Sequence, residues 1–465
     1  MKILIINVSL RPTSNEKIFP IGLGYIATAI KNAGYSFDLL DIDLYRYSQE
    51  YVERYLKDNH YDVVCMGCIV TGYKIVKNYA AIIRAAHPET KIIVGNSVAS
   101  SIIDTLLTRT AVDCAVIGEG EVAIVEILEA LAKGRTLKDV KGVAFLLDRK
   151  VFKTAARTPI ENISLIPPVD FSIFDVDKYI ECSKINACEP LPIPREQVRA
   201  LPVNTARGCV ANCGFCYHVF KGVPYRYRSA ESVVSEIKSL VNQYGLNYVF
   251  FWDELTFFSK KHTLDLVDKF IEEKLPVYWT GCCRSNLFDC DDDVEIIQRM
   301  KTAGCIGMIY SLESADEKIL EAMNKKVKVE HFSRQSELFH KAGLTPWTSL
   351  VIGYPQETPQ TIRKTFDCCI QNRIYPSVGY LLPQPGSPVY DYARQNGFIP
   401  DEEEYLLLMG DRQDLRLNMT TMSDEELQTE VLEGLKRCNR ELGVGLDESK
   451  LVKTQHFRSK KKSLT

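Results

Sequence analysis

The first 135 residues alternate short apolar runs with segments in which apolar residues recur every three or four positions. The short runs are rich in Val and Ile and lack a polar face, which is typical of parallel strands covered on both sides. Strands are therefore predicted near residues 2–8, 37–42, 62–67, 91–94 and 112–117, and helices near residues 22–33, 49–58, 74–86, 100–108 and 121–133. This alternation predicts an α/β domain with a doubly wound, Rossmann-like parallel sheet. Ligands of such sheets bind beyond the carboxyl ends of the strands.

A second α/β series begins near residue 198. Its strands are predicted near residues 199–205, 247–252, 276–281, 305–312, 346–352 and 376–382. The intervening helices are predicted near residues 229–244, 261–273, 291–303, 315–342 (broken near Lys328) and 358–372. In barrels built from such steps the active site lies at the carboxyl ends of the strands.

Two shorter segments complete the predicted organisation. An alternating run at residues 142–154, with a turn at residues 148–150, predicts a β-hairpin. Residues 155–197 are rich in proline and are predicted to wrap over the second domain as an irregular linker. The chain is accordingly divided into a first domain (1–140), a hairpin and wrapping linker (141–197), a barrel domain (198–395) and a small helical C-terminal extension (396–465) with a solvated basic end at residues 458–463.

Composition narrows the context in which the protein works. A formal net charge of −3 and a pI near 6.2 do not predict a nucleic-acid partner. No apolar run is long enough to span a membrane, and residues 1–7 fit a buried strand better than a secretory signal. Fifteen cysteines without such a signal predict free thiols in a cytoplasmic protein.

The candidate chemistry is concentrated at residues 206–218, directly after the first strand of the second series. Cys209, Cys213 and Cys216 lie there in a CxxxCxxC spacing. Thiolates are the preferred ligands of a [4Fe–4S] cluster, and three of them leave one iron open to another ligand. The alternatives are ordinary packing of cysteines and a zinc site completed by His218. Three cysteines so close together disfavour simple packing, and the short step from Cys216 to His218 disfavours a zinc tetrahedron.

This spacing, with Phe215 before the third cysteine, resembles the signature of the radical SAM superfamily. Five further strand-end segments are similar to segments of that family: residues 250–257, 278–284, 309–314, 351–358 and 382–390. The resemblance implies a partial (β/α)6 barrel whose cluster, held by the three cysteines, binds S-adenosylmethionine (SAM) at its open iron. The residues that it implies for SAM binding are Tyr217, Asp253, Glu254, Arg284, Ser311, Glu313 and Gly353.

The resemblance also implies roles for some of these residues. Asp253 and Glu254 are expected at the amino group of SAM, although a helix-capping or solvated pair is the alternative. Arg284 is expected to bind the carboxylate of SAM or an acid of the substrate. Glu313 is expected at hydroxyl or amino groups of SAM, because a buried carboxylate without a partner would be costly.

Glycine-rich strand ends in the first domain resemble the cobalamin-binding domain that precedes many radical SAM domains. The matching segments are residues 20–27 and 117–121, and the implied cobalamin contacts are Thr71, Gly95, Asn96, Gly118 and Gly120. The chain departs from the family pattern in two ways. It has no DxHxxG motif to supply a histidine to cobalt, and it has Gly95-Asn96 where Gly-Gly is usual. A vestigial or substrate-binding domain is the alternative to a cobalamin site.

Together the two resemblances imply an enzyme that cleaves SAM reductively to a 5′-deoxyadenosyl radical. With cobalamin in the first domain, the implied reaction is methylation of an unactivated carbon or phosphorus centre of a small molecule, and the electron comes from a reductant such as flavodoxin or ferredoxin. One alternative is radical cyclisation, rearrangement or carbon–carbon coupling. A non-catalytic iron–sulfur or corrinoid-binding sensor is another, but such a sensor gains nothing from an open iron.

Overall fold

The computed structural model describes residues 1–448 and residue 451. Its first part is a seven-stranded sheet in the order β2-β1-β3-β4-β5-β6-β7. The strands are β1 (Ile3–Asn7), β2 (Asp38–Asp41), β3 (Val63–Gly67), β4 (Lys91–Gly95), β5 (Cys114–Val116), β6 (Val143–Leu147) and β7 (Lys150–Lys153). The helices are α1 (Ile21–Asn32), α2 (Ile42–Tyr45), α3 (Gln49–Asp58), α4 (Tyr73–Ala86), α5 (Ser97–Ser101), α6 (Ile103–Arg109) and α7 (Glu121–Ala132).

The first five strands are parallel and are covered on both faces, as the unbroken apolar runs predict. Alternate residues of β1 point to opposite sides, so Ile3 and Ile5 join a core with α1 and α7. Leu4 and Ile6 join a second core with α3 and α4. The predicted doubly wound domain is therefore confirmed.

The hairpin of β6 and β7 adds two antiparallel strands to the same sheet. Its turn residues, Asp148 and Arg149, both have positive φ angles (49° and 64°), the conformation of a tight two-residue hairpin turn. Since β6 pairs with β5, the sheet continues past the boundary predicted at residue 140.

The wrapping linker is more ordered than its prolines suggest, because it contains helix α8 (Val176–Ser183). Tyr179 of this helix is buried, and its hydroxyl donates to Asp41 (2.7 Å). Asn7, at the end of β1, donates to both Asp41 (2.8 Å) and the Tyr179 hydroxyl (3.1 Å). The linker thus fastens onto the carboxyl edge of the first sheet at β1 and β2.

The second domain contains a six-stranded parallel sheet in the order β15-β14-β13-β12-β11-β8, as expected for a partial barrel. Its strands are β8 (Ala200–Val203), β11 (Tyr248–Phe251), β12 (Tyr278–Cys282), β13 (Cys305–Ile309), β14 (Thr345–Ile352) and β15 (Pro376–Tyr380), and the short strands β9 (Ala206–Arg207) and β10 (Arg226–Tyr227) form a separate antiparallel pair. The helices are α9 (Ala230–Tyr244), α10 (Lys260–Glu272), α11 (Asp293–Thr302), α12 (Glu317–Ala322), α13 (Val329–Ala342) and α14 (Pro359–Gln371). The predicted break near Lys328 is the connection between α12 and α13.

Helix α15 (Pro388–Gln395) ends the barrel domain, and the C-terminal extension contains α16 (Glu402–Leu408) and α17 (Asp424–Glu441). Helix α16 reaches the first domain, where Glu403 accepts from the Tyr73 hydroxyl (2.8 Å) and pairs with Lys77. The basic segment at residues 458–463 lies outside the described residues. Among the described helices, none is both long and apolar enough to cross a membrane.

Candidate active site

The three motif cysteines lie in a loop that begins at the carboxyl end of the first barrel strand. Strand β9 immediately precedes the loop and pairs with β10 after it, so the loop is closed at its base. Cys213 is buried, Cys209 is half-buried and Cys216 is exposed. Burial raises the pKa of the Cys209 thiol and the neighbouring Cys213 adds to this, whereas Arg284 and Lys325 oppose it. The arrangement is a set of thiols that a bound metal would have to ionise.

The spacing of these thiols fits a cluster better than a single metal ion. A tetrahedral zinc, with Zn–S bonds of roughly 2.3 Å, brings its thiolates to within about 4 Å of one another. Within residues 1–448, the one group of three potential ligands that lie within 4.8 Å of each other is Asp289, Cys290 and Asp293. Cys209, Cys213 and Cys216 are not among such groups, so their thiols as placed do not form a ready-made mononuclear site.

Two segments of the barrel domain hold the cysteine loop in place. The Gly214 N–H donates to the Met323 carbonyl (2.7 Å), and the Val389 N–H donates to the Gly214 carbonyl (3.0 Å). The Tyr217 ring packs directly on Gly386, where a Cβ atom would come within 2.5 Å of the ring. Tyr217 is thus enclosed by the predicted closing loop at residues 382–390, and only glycine fits beneath it.

Glu313 has the clearest signs of a ligand-binding residue. It follows β13, is 5% exposed and has a φ of +65°, which is unusual for any residue with a side chain. One carboxylate oxygen accepts from the Lys325 ammonium (2.8 Å), and the other is buried without a partner. A buried carboxylate oxygen left unpaired is costly, so the site fits a ligand that donates a hydrogen bond there.

The remaining SAM candidates lie at neighbouring strand ends of the same barrel. The Ser311 hydroxyl is 2.7 Å from that of Ser349. Gly353 is buried at the end of β14, and its N–H donates to Glu357 (3.3 Å). Glu254 is exposed after β11 and accepts from the Gly208 N–H (3.2 Å) beside Cys209. The carboxyl edge of the barrel therefore brings these predicted residues to one side of the sheet.

Two of the SAM candidates have different partners from those expected. Asp253 accepts from the Thr205 N–H (2.8 Å) and hydroxyl (2.7 Å), the Ala206 N–H (3.1 Å) and the Asn204 side chain (3.1 Å). Burial raises the pKa of Asp253 to about 6, against the lowering effect of these bonds. Its oxygens hold the backbone that leads into the cysteine loop, and its contact with the amino group of SAM stays a prediction.

Arg284 is the second such residue. Its guanidinium donates to the carbonyl oxygens of Lys325 (2.5 Å) and Lys326 (3.3 Å). One nitrogen of the guanidinium, Nη2, makes both bonds to the backbone between α12 and α13, and binding of a carboxylate by Arg284 stays a prediction. In this position Arg284 orients a loop.

The carboxyl edge of the first domain offers space where the sequence predicts cobalamin. A Cβ atom at Gly95 or Gly118 would meet nothing within 4 Å, so the ends of β4 and β5 border open volume. Asn96 is exposed with a φ of +69°, and its side chain accepts from the Ser97 N–H (2.6 Å). Thr71 lies in the turn after β3.

Gly120 has a structural reason to be glycine. A Cβ atom there would lie 2.8 Å from Cδ1 of Ile26 on α1. The absence of a side chain at Gly120 lets the start of α7 pack against α1, and its contact with cobalamin stays a prediction.

The surroundings of this volume fit a large, partly apolar cofactor. Exposed apolar side chains follow strands of both sheets: Leu10, Ile69, Val210, Trp252 and Ile309. Such side chains are typical of a surface that a ligand covers. The two histidines of the first domain, His60 and His87, precede β3 and β4 and so lie at the opposite edge. No histidine of that domain is placed to coordinate cobalt.

A buried interdomain ion network, which the sequence reasoning missed, joins the two edges. Glu119, after β5, accepts from Arg207 (2.7 Å) and Arg226 (2.9 Å), and Glu121 also pairs with Arg207. These side chains are 6–12% exposed. Arg207 and Arg226 lie on β9 and β10 at the base of the cysteine loop. The network therefore fixes the base of the cysteine loop to the carboxyl end of β5.

Comparison with known families agrees with this geometry. A sequence model described as the radical SAM superfamily matches residues 203–369, and one described as a B12-binding domain matches residues 10–128. The chain therefore contains a radical SAM domain and a B12-binding domain. A radical SAM domain implies a [4Fe–4S] cluster and SAM, and a B12-binding domain implies cobalamin, as cofactors of this radical SAM enzyme.

Individual relatives of the radical SAM enzyme are distant. An uncharacterised methyltransferase of Pyrococcus horikoshii is 26% identical over 82% of this chain and 79% of its own length. An anaerobic magnesium-protoporphyrin IX monomethyl ester cyclase of Cereibacter sphaeroides is also 26% identical, over 75% of this chain and 55% of its own length. The structure of the radical SAM methyltransferase TsrM of Kitasatospora setae superposes with a TM-score of 0.67 at 19% identity, covering 86% of this chain and 77% of TsrM. This similarity supports the two-domain fold.

Proposed function

We propose that the protein is a cobalamin-dependent radical SAM methyltransferase that methylates an unactivated carbon or phosphorus centre of a small molecule. The observation that carries the proposal is the interdomain ion network, in which Glu119 binds both arginines at the base of the cysteine loop. Because the network ties the cluster loop to the end of β5, a small molecule in the cleft can lie beside both cofactors.

The chain's own residues supply positioning and exclusion of water. Cys209, Cys213 and Cys216 would hold the cluster, and the unpaired oxygen of Glu313 would accept a hydrogen bond from SAM. When bound, the cofactors supply reductive cleavage of SAM and transfer of the methyl group. The exposed apolar residues at the strand ends, among them Trp252 and Ile309, would cover the reacting groups and keep water away.

The cofactor that the first domain would hold has to be bound without an imidazole from that domain. Open space beside Gly95 and Gly118 leaves room for the corrin ring against the main chain. We expect the enzyme to act in the cytoplasm with a reductant such as flavodoxin or ferredoxin.

A labelling experiment tests the reaction. Anaerobic cells that produce the protein are grown on methionine with a trideuterated methyl group, and their metabolites are compared by mass spectrometry with those of cells producing the Cys209→Ala/Cys213→Ala/Cys216→Ala variant. Methylation predicts a product that contains the intact labelled methyl group and is absent from the variant cells.

A second candidate, radical cyclisation, is favoured by the similarity to the magnesium-protoporphyrin ester cyclase. It predicts a product that depends on the three cysteines but carries no label. An unlabelled product that depends on the three cysteines would contradict methylation and support cyclisation or rearrangement.

A further inference from the structure

The connection between α12 and α13, residues 323–328, lies directly against the cysteine loop. The Met323 carbonyl accepts from the Gly214 N–H (2.7 Å), and the Asn324 side chain donates to the Asn212 carbonyl (2.7 Å). These two bonds fall on either side of Cys213. The position of the next residue, Lys325, is therefore tied to that of the cluster ligands.

The Lys325 ammonium lies inside the site. It is 12% exposed, donates to Glu313 (2.8 Å) and lies 6.0 Å from the centre of the Phe215 ring, between Cys213 and Cys216 in sequence. An ammonium has three N–H donors, and Glu313 is its one hydrogen-bond partner among the described residues. Lys325 therefore has unused N–H donors, and Glu313 has a buried carboxylate oxygen without a hydrogen-bond partner.

Burying such an ion pair without a ligand costs free energy. Removing two charges from water costs more than their attraction returns unless further hydrogen bonds complete the arrangement. The backbone of Glu313 also carries a φ of +65°. Both costs point to a bound group that completes the hydrogen bonding of the pair.

The other cation near Cys209 holds the connection in place. Arg284 donates through one guanidinium nitrogen, Nη2, to the carbonyls of Lys325 and Lys326, so it positions the backbone at Lys325. Lys221 donates to the Cys216 carbonyl (2.9 Å), on the backbone of the loop. Of these three cations, Lys325 is the one whose side chain pairs with Glu313 inside the site.

We infer that Lys325 binds the carboxylate of SAM, that Glu313 binds its amino group, and that Arg284 is the positioning residue that holds Lys325. This inference rests on the proposed function, because it assigns residues to the SAM of that same site. One positive and one negative side chain, 2.8 Å apart, match the zwitterionic amino-acid end of SAM.

The test compares SAM with decarboxylated SAM, which keeps the amino group and lacks the carboxylate. Affinities are measured by anaerobic calorimetry on protein with an oxidised cluster, so that no SAM is cleaved. Lys325→Met should weaken SAM binding by about tenfold to a hundredfold, the loss expected for one charge-assisted hydrogen bond. Binding of decarboxylated SAM should change by less than about threefold, because Glu313 remains.

Two further variants keep the test decisive. Lys326→Met removes the exposed neighbouring lysine and should leave both affinities unchanged, whereas Lys325→Arg should retain most of the preference for SAM. Iron content and the visible spectrum establish that each variant carries its cluster. Equal weakening of both ligands by Lys325→Met would show a purely structural role and overturn the inference, as would no weakening of either.

The binding of SAM by Lys325 and the proposed reaction are tested independently of each other. Wild-type protein that binds SAM with the predicted dependence on Lys325, yet forms no 5′-deoxyadenosine, would contradict the reaction and leave the binding assignment standing.

Discussion

The two sheets meet through their carboxyl edges but present opposite kinds of surface there. The barrel edge offers charged and metal-binding side chains, namely the three thiols and the incompletely bonded Glu313–Lys325 pair. The edge of the first sheet offers open space beside Gly95 and Gly118, and its polar residues Asn7 and Asp41 are bonded to Tyr179. Recognition at the barrel edge therefore depends on individual charges, and at the other edge it depends on shape and main chain.

The largest effect is expected at the barrel edge, where one ligand is indispensable. Cys213→Ala removes the buried member of the cysteine set and should reduce cluster iron and SAM cleavage to background. Iron analysis and the visible spectrum after anaerobic reconstitution check this. Cys290→Ala, at an exposed cysteine outside the loop, is the matched control and should load normally. A Cys213→Ala variant that retains the cluster would contradict the assignment of Cys213 as a cluster ligand.

The next effect concerns the network that joins the two edges. Glu119→Ala leaves Arg207 and Arg226 buried with fewer partners and should lower the free energy of unfolding by about 3 kcal/mol. Denaturant unfolding measures it. Glu126→Ala removes half of a more exposed pair with Arg157 and should cost less than about 1 kcal/mol. Similar losses in the two variants would mean that the interdomain network has no special role.

A neutral substitution at the barrel edge separates the two binding sites. Glu313→Gln keeps the shape but removes the charge that faces Lys325, so SAM affinity should fall by about tenfold or more. Cobalamin affinity, measured by absorbance titration, should not change. A comparable loss of cobalamin binding would contradict the claim that SAM and cobalamin bind at separate edges.

The mildest predicted change is at the edge of the first sheet. The Cβ atom of Gly95→Val would meet no protein atom within 4 Å, so the unfolding free energy should shift by less than about 1 kcal/mol. Cobalamin affinity should fall by about tenfold while SAM affinity stays the same. Unaltered cobalamin binding would show that the corrin lies elsewhere.

Periodicity in the sequence predicted the parallel strands and the break near Lys328, because those patterns are local. It missed α8, since the surrounding prolines mask a short helix that is stabilised by Tyr179 reaching β1 and β2. The pairing of Arg207 with Glu119 joins residues 88 positions apart, and no local pattern encodes it. The same holds for Asp253, whose position after a strand was evident but whose donors at residues 204–206 come from another strand end.

The central claim is that the cysteine loop starts radical chemistry on SAM. The most direct test is 5′-deoxyadenosine formation by anaerobically reconstituted protein given SAM and dithionite, beside the Cys209→Ala/Cys213→Ala/Cys216→Ala variant. The account predicts 5′-deoxyadenosine from the wild-type protein and none above background from the variant. A cluster-loaded wild-type protein that forms no more than the variant would contradict it.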